Sequence, residues 1–369
     1  MKFKRLRKTS PRQPQLENEA DVQINRIVAD IEQLGLLIAR DNVAQVFYGP
    51  YASRDSEKAK ELLMMLRYAE DGRIEEICPS IGMRGAQNIR SSCYLNSLLF
   101  VMFAHTDVFE PILYKRFEDS VAHQNMCAGL RLWVNMLRTG KLITCDITDQ
   151  VRAKLSIACE WDSFDKNSEE DVSEAFMRIT EALHMPLLTF LVDYAHEGLE
   201  IPNQDHKFEQ GRLLNVIVPL GEAKISLQEA INSTFGDTIA MNRGGSVNAL
   251  KLTTIYASPT DGDTMSSFLP KHPVIGMQLQ DYTRKRAVII PEALPHSIIL
   301  VDDASRSKFL RLRSVIHHRG GYDWGHYFSY SVDDDCQWWK FDDLLEDGYK
   351  VSAIDTKDFL ESEMTYAFT

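Results

Sequence analysis

The stretch NIRSSCYLNSLLF, residues 88–100, sets a cysteine at the seam between a polar segment and an apolar, helix-like run. Asn88, Arg90, Ser91 and Ser92 precede Cys93, and Leu95, Leu98, Leu99, Val101 and Met102 follow it. On the first turn of a helix a cysteine feels the positive end of the helix dipole, which favours thiolate over thiol. A thiolate at that position is a nucleophile. A small core residue that opens a helix is the competing description, and helix start alone leaves the two open.

A second stretch, HHRGGYDWGHYFSYSVDDDCQWWKFDD at 317–343, brings an imidazole near a carboxylate. From His326 to Val332 aromatic and small polar residues alternate as in a strand, and Cys336 to Phe341 is again aromatic and strand-like. Between them Asp333, Asp334 and Asp335 favour a turn. With the turn centred on Asp334, residues equidistant from it face each other, which sets His326 opposite Asp342 at roughly 5 Å between Cβ atoms. A carboxylate that holds one ring nitrogen leaves the other free to take a thiol proton. A surface hairpin with a structural His–Asp pair fits the same register, and one bulge breaks it.

These pieces need elements to carry them. The 369 residues, 44% of them hydrophobic, suffice for one large domain or two ordinary ones. Residues 1–18 are polar and proline-bearing and read as a disordered tail, with the basic run 2–8 a solvated end or a nuclear import signal. Helical spacing predicts helices over about 21–40 and 55–70, an N-terminal extension spanning 19–75 that could cap a larger domain or bind a partner. The middle, 93–190, reads as mostly helical, including 125–139 and 169–190. From about 210 the texture turns to short β-branched runs at 213–220, 250–257, 286–291, 297–302 and 309–318. The Gly-, Ser-, Asn- and Asp-rich stretch 232–267 reads as loops or an irregular insertion. A helical half followed by a β half predicts an α+β enzyme with its site between layers.

Composition narrows the partners. A net charge of −12, Lys+Arg 41 against Asp+Glu 53, disfavours nucleic acid and suits a partner that is locally basic. No run of 18 apolar residues or secretory-type leader is present, so no membrane association and a cytoplasmic, possibly nuclear, location are expected. The six cysteines, at 78, 93, 127, 145, 159 and 336, form no Cys-x-x-Cys pair, so no metal site or other cofactor is expected.

The segment GAQNIRSSCYLNS (85–97) resembles the cysteine box of the ubiquitin-specific proteases, matching at Gly85, Asn88, Cys93, Tyr94, Asn96 and Ser97, with Arg90 where glycine is usual. The run from Leu312 resembles that family's histidine box through Gly325-His326-Tyr327 and Phe341-Asp342-Asp343, and His318 matches an upstream family histidine. EEDVSEAF (169–176) is similar to the family's Q-x-D-x-x-E-F helix start at Asp171 and Glu174, with Glu169 in place of glutamine. LPKHPVIGMQLQ (269–280) resembles its Leu-Pro strand with the Arg-Phe lost. The likeness runs in order over 78–369. Residues 168–188 and the absent zinc-binding cysteine pairs further resemble the divergent cylindromatosis-type branch.

The resemblance implies a papain-like fold of this family, with a helical thumb lobe, a β palm lobe and reduced, zinc-free fingers. It implies Cys93 as nucleophile, His326 as general base, Asp342 as its orienting group with Asp343 assisting, and Asn88 as an oxyanion donor. Asp171 is expected to meet the arginine-bearing ubiquitin tail. Glu174 could do the same or cap its own helix. Trp324, Gly325 and Tyr327 are expected around the diglycine, Trp324 as tunnel wall, lid or simply a packed aromatic. Arg90 could steady the thiolate or point to solvent. The implied activity is hydrolysis after the C-terminal Gly-Gly of ubiquitin, in extended or linear chains, by a monomer. Another ubiquitin-like modifier, or a binding protein without chemistry, is the alternative.

Overall fold

The computed structural model describes residues 12–78, 80–165, 170–195, 205–217, 224–226, 229–230, 236–242, 246–256, 276–280, 287–289, 297–301, 307–320, 325–346 and 348–361. Eight α-helices come first: α1 Arg12–Gln33, α2 Arg40–Tyr48, α3 Ser56–Glu70, α4 Cys93–Phe103, α5 Glu110–Leu113, α6 Val121–Arg138, α7 Cys145–Ala158 and α8 Val172–Ala182. Strands β1 Leu188–Ala195, β2 His206–Gly211, β5 Gly236–Asn242 and β6 Ser246–Tyr256 form an antiparallel sheet in the order β2-β1-β6-β5. Strands β11 Ser314–Gly320, β12 Gly325–Val332, β13 Trp338–Phe341 and β14 Val351–Ile354 form a second in chain order. Between them lie the parallel pairs β3 (Leu213–Ile217) with β7 (Gly276–Gln280) and β4 (Lys224–Ser226) with β8 (Ala287–Ile289). Strand β9 (Ser297–Val301) pairs antiparallel with β10 (Ser307–Arg311), and a last short helix spans Thr356–Glu361.

Local chemistry explains most boundaries. Asp55 caps α3 by accepting from the Glu57 and Lys58 N–H groups, and Asp171 caps α8 through Ser173 and Glu174. The helix expected over 21–40 stops short, and the next helix lies beyond it. α1 ends at Gln33, Gly35 turns left-handed at φ +81, and α2 starts at Arg40, so Leu34 and Leu37 of the apolar run lie exposed in the connection. The tail expected over 1–18 overlaps α1 from Arg12 on, and residues 1–11 lie outside the described residues. The helix expected to run on to 190 stops at Ala182, where His184 adopts φ +51 and Pro186 precedes β1. Within 232–267 the irregular reading fails for 236–242 and 246–256, where β5 and β6 pair antiparallel.

Helices and second sheet share one core. α4 is buried on nearly every face, and its Phe100 stacks on Phe341 of β13 at 5.0 Å and 16°. α6 is exposed in its first turn at Val121, Gln124 and Asn125 and enclosed from Met126 to Arg138. The first three helices pack around a satellite core of Ile24, Ile27, Ile31, Val43, Phe47 and Leu63. Leu62 of α3 belongs to the main core, so α3 joins the two.

The segment before α4 is drawn against the second sheet at one glycine. Gly85 has φ +78, and a Cβ there would stand 2.9 Å from both Phe341 and Lys350. Gly85→Ala is expected to lose about 3 kcal/mol, from left-handed strain plus overpacking. A thermal denaturation midpoint within one degree of the wild type would contradict that close approach.

Candidate active site

Cys93 is the first residue of α4, 3% exposed, at the helix's positive end. The chain reaches it through a tight turn in which Arg90 and Ser91 both hold left-handed backbone, φ +47 and +57. That conformation is open to glycine without strain, which accounts physically for arginine being the unusual residue at 90. Ser92 Oγ ties the turn together, accepting from the Ile89 N–H at 3.0 Å and from Asn96 Nδ2 at 3.1 Å.

His326 comes from the sheet. Strands β12 and β13 pair Ser329 with Phe341, Tyr330 with Lys340, Ser331 with Trp339 and Val332 with Trp338, so the turn centres on Asp335, not on Asp334. The expected register is therefore wrong by two residues. Asp333 closes a wider loop: its N–H donates to the Gln337 carbonyl, its carboxylate accepts from the Gln337 N–H and Trp339 Nε1, and Cys336 takes φ +66. A slip of two keeps every side chain on its face. Asp342, one residue beyond the end of β13, thus reaches His326 diagonally instead of straight across, with His326 Nε2 to Asp342 Oδ1 at 2.8 Å.

That contact sets the electrostatics. Burial works against charge on His326, but the Asp342 bond, the Cys93 sulfur beside the ring and the nearby Asp343 outweigh it and push the imidazole up to about 10. Burial would raise the Asp342 carboxyl, yet the His326 partner, the Leu344 N–H and Lys340 hold it down to about 2. With Nε2 on the carboxylate, Nδ1 is the ring nitrogen left for the sulfur. The arrangement can hold an imidazolium beside a thiolate.

Asp343 does something different. Its carboxylate, 2% exposed, accepts from Asn88 Nδ2 at 3.0 Å and from Asn96 Nδ2 at 2.9 Å, and lies 3.9 Å from His326 Nε2. Burial raises its pKa while the two amides pull against that shift. Asn96 was given no role from the sequence, although it stands in the matched box one helical turn after Cys93; that spacing was the available signal. His326, Asp342 and Asp343 offer possible metal-ligand atoms within 4.8 Å of one another. Asp342 already accepts from His326 there, and Asp343 from the two amides.

The remaining expected residues are dispersed. Gly325 opens β12, where a Cβ would stand 2.0 Å from His318 Nε2, so the His318 ring fills the place of a side chain. Tyr327 is buried, on the opposite face from His326, its ring 4.5 Å from that of His318. Asp171 caps α8, and Glu174 pairs with Arg178 at 3.2 Å and leaves the cap to Asp171. Trp324 and Glu169 lie outside the described residues. So does the Leu-Pro segment 269–275, while 276–280 forms β7.

A cysteine, an imidazole and a carboxylate joined across a helix–sheet seam are what a thiol hydrolase requires. The family model described as "Ubiquitin carboxyl-terminal hydrolase" matches residues 84–363. This chain belongs to that family. Among solved structures it is similar to the SAGA DUB module with a Ubp8 variant, Sgf11, Sus1 and Sgf73, bound to monoubiquitin. That match has a TM-score of 0.56 and 15% identity over 84% of this chain and 75% of the other. The same module bound to ubiquitin aldehyde matches with TM-score 0.55 and 15% identity over the same shares. No curated protein matches the chain. At that identity the likeness establishes the fold.

Asp342→Asn removes the strongest upward pull on His326, so the ring pKa should fall from about 10 toward the ordinary 6.5. The imidazole, charged until pH rises through its pKa, should then lose its charge at lower pH. Histidine NMR titration reads this directly. An unmoved midpoint would remove Asp342 as the source of the shift.

Proposed function

We propose that the chain is a thiol-dependent deubiquitinase that cleaves isopeptide or peptide bonds after the C-terminal Gly-Gly of ubiquitin. The observation that carries this reading is His326, held by Asp342 at 2.8 Å and charged against the Cys93 sulfur. The Cys93 thiolate adds to the scissile carbonyl carbon and forms a tetrahedral oxyanion. His326 gives its proton to the departing amine, the C–N bond breaks and a thioester remains. Water then attacks the thioester, His326 takes its proton, and the acid leaves as the thiolate is restored.

Two of the other thiols are set aside by burial. Burial pushes Cys127 up to about 11 and Cys159 up to about 12, which leaves both protonated and inert near neutrality. Asn88, with one amide hydrogen on Asp343, keeps a second for the oxyanion, and the Cys93 N–H is the companion donor. Asp342 orients His326; Asp343 holds Asn88. Asp171, whose Oδ1 caps α8, would meet an arginine of the ubiquitin tail through its other oxygen. Gly325, Tyr327 and Trp324 would border the diglycine, and fingers without zinc would hold the body of ubiquitin. The lack of cysteine pairs and the 168–188 segment favour the cylindromatosis-type branch and extended or linear chains. Residues 19–75 act as a helical extension on a monomeric, cytoplasmic or nuclear enzyme.

Ubiquitin bearing a C-terminal electrophile should form a covalent adduct with the wild type and none with Cys93→Ala. Adduct formation at Cys127 or Cys159 would overturn the assignment, and reaction only with probes for another modifier would move the substrate. Asn88→Ala should lower kcat about a hundredfold with little change in KM, the size of one lost oxyanion donor. An unchanged kcat would take Asn88 out of that role.

A further inference from the structure

Arg152 of α7 is 1% exposed, yet it lies 59 positions after Cys93 in chain and matches nothing in either box. Its guanidinium reaches the turn that delivers the cysteine. Nη1 donates to the carbonyls of Ile89 at 3.3 Å and Arg90 at 3.2 Å, and Nε donates to the Phe164 carbonyl. Those two peptides flank left-handed Arg90, and the second leads into left-handed Ser91. A left-handed non-glycine residue is disfavoured by about 1–2 kcal/mol, and here two stand in succession, so the turn needs outside support. A buried guanidinium needs acceptors in turn, and the carbonyls of Ile89, Arg90 and Phe164 are among those it meets.

Holding the carbonyls does more than support the turn. In a trans planar peptide the C=O of one residue and the N–H of the next point in opposite directions. Fixing the carbonyls of Ile89 and Arg90 on Arg152 therefore turns the N–H groups of Arg90 and Ser91 away from it, and sets the direction in which the chain enters α4. The same turn carries Asn88 at one end and Cys93 at the other. We infer that Arg152 is a positioning residue: it locks the left-handed turn 89–91 so that Asn88 and the Cys93 N–H and sulfur stand in catalytic register. This rests on the hydrolase reading above and deepens it. Arg152 touches no reacting atom; it acts through the backbone of the turn.

The inference makes an unusual demand: the need for Arg152 should depend on what residue occupies position 90. Glycine takes left-handed backbone freely, so it can hold the turn with less help. Four full-length proteins are compared, wild type, Arg152→Gln, Arg90→Gly and the double variant, with ubiquitin–fluorophore turnover as readout. Arg152→Gln is expected to lose about ten- to hundredfold in kcat, up to the size of one misplaced oxyanion donor, with KM within twofold. Adding Arg90→Gly should restore at least fivefold of that loss. Arg152→Lys, which keeps charge and most volume but presents a single point of donation, is measured alongside with the same glycine background. It should lose about tenfold and be rescued likewise, so a Gln variant that fails to fold still leaves a test.

Circular dichroism and noncovalent binding of ubiquitin by Cys93→Ala forms of the same variants separate catalysis from folding. A folded Arg152 variant with kcat within twofold of wild type overturns the inference. So does a loss that glycine at 90 leaves untouched, because a side chain that merely packs the core has no reason to be relieved there. If the wild type itself forms no adduct at Cys93 with an electrophilic ubiquitin, it is the hydrolase reading that fails.

Discussion

A carboxylate removed from water must find donors, and Asp343 finds them on the far side of the fold. Its partners Asn88 and Asn96 flank Cys93, while Asp343 lies two residues beyond β13, which pairs with the histidine strand β12. An unpaired buried charge is so unfavourable that the sheet cannot retreat from the helix without exposing Asp343 or stranding it. The cysteine segment and the histidine sheet, more than two hundred residues apart in chain, are thereby held at one separation. Around that point the triad geometry becomes a consequence of satisfying one charge.

Packing supports the same seam from behind. Phe341 lies two positions before Asp343, its ring stacked on Phe100 of the cysteine helix. Gly85 leaves room for that ring, and the Ile143 N–H donates to the Gly85 carbonyl to pin the segment from α7's side. The Lys350 N–H donates to the Arg84 carbonyl, and the Asp342 N–H to the Lys350 carbonyl, so backbone bonds run unbroken from the cysteine segment to the catalytic carboxylate. Apolar stacking fixes the distance between layers, and the hydrogen bonds fix their registry. Neither would suffice alone, since stacked rings slide and isolated hydrogen bonds contribute only about 1 kcal/mol each.

Much of this was legible from residue types, and the failures have physical causes. The helical and β halves follow from periodicity; two local patterns made Cys93, His326 and Asp342 candidates while leaving structural readings open, and the family resemblance supplied their expected roles. The hairpin register was missed because turn propensity locates a turn without giving its length. Three aspartates mark the bend, but the loop that forms runs on to Gln337 because Asp333 turns back to bind it and Trp339. The early stop of the helix expected over 21–40 turned on Gly35, which periodicity ignores. The Asn88–Asp343–Asn96 link and Arg152 were invisible for a different reason. Each joins residues distant in chain, and nothing in local pattern says which buried donor meets which acceptor.

Adjacent aspartates end this sheet, and their environments drive them apart. Asp342 follows β13 directly and Asp343 sits in the turn closed by the Leu345 N–H on the Asp342 carbonyl, so their carboxylates meet different partners. Asp342 meets a cation and is pulled down to about 2; Asp343 meets two neutral amides in the dry interior and is raised. Pairs of carboxylates separated in this way mark a division of labour. The carboxylate with the low pKa is the one that can keep an imidazole charged throughout turnover. The other, close enough at 3.9 Å to feel His326 but committed to the amides, is better suited to hold Asn88 still. Exchanging the roles would require Asp343 to give up both amides for one imidazole, leaving Asn88 without its anchor in the interior. On the proposed hydrolase reading the first aspartate orients the base and the second holds the oxyanion donor, where the family resemblance implied only that Asp343 assists Asp342.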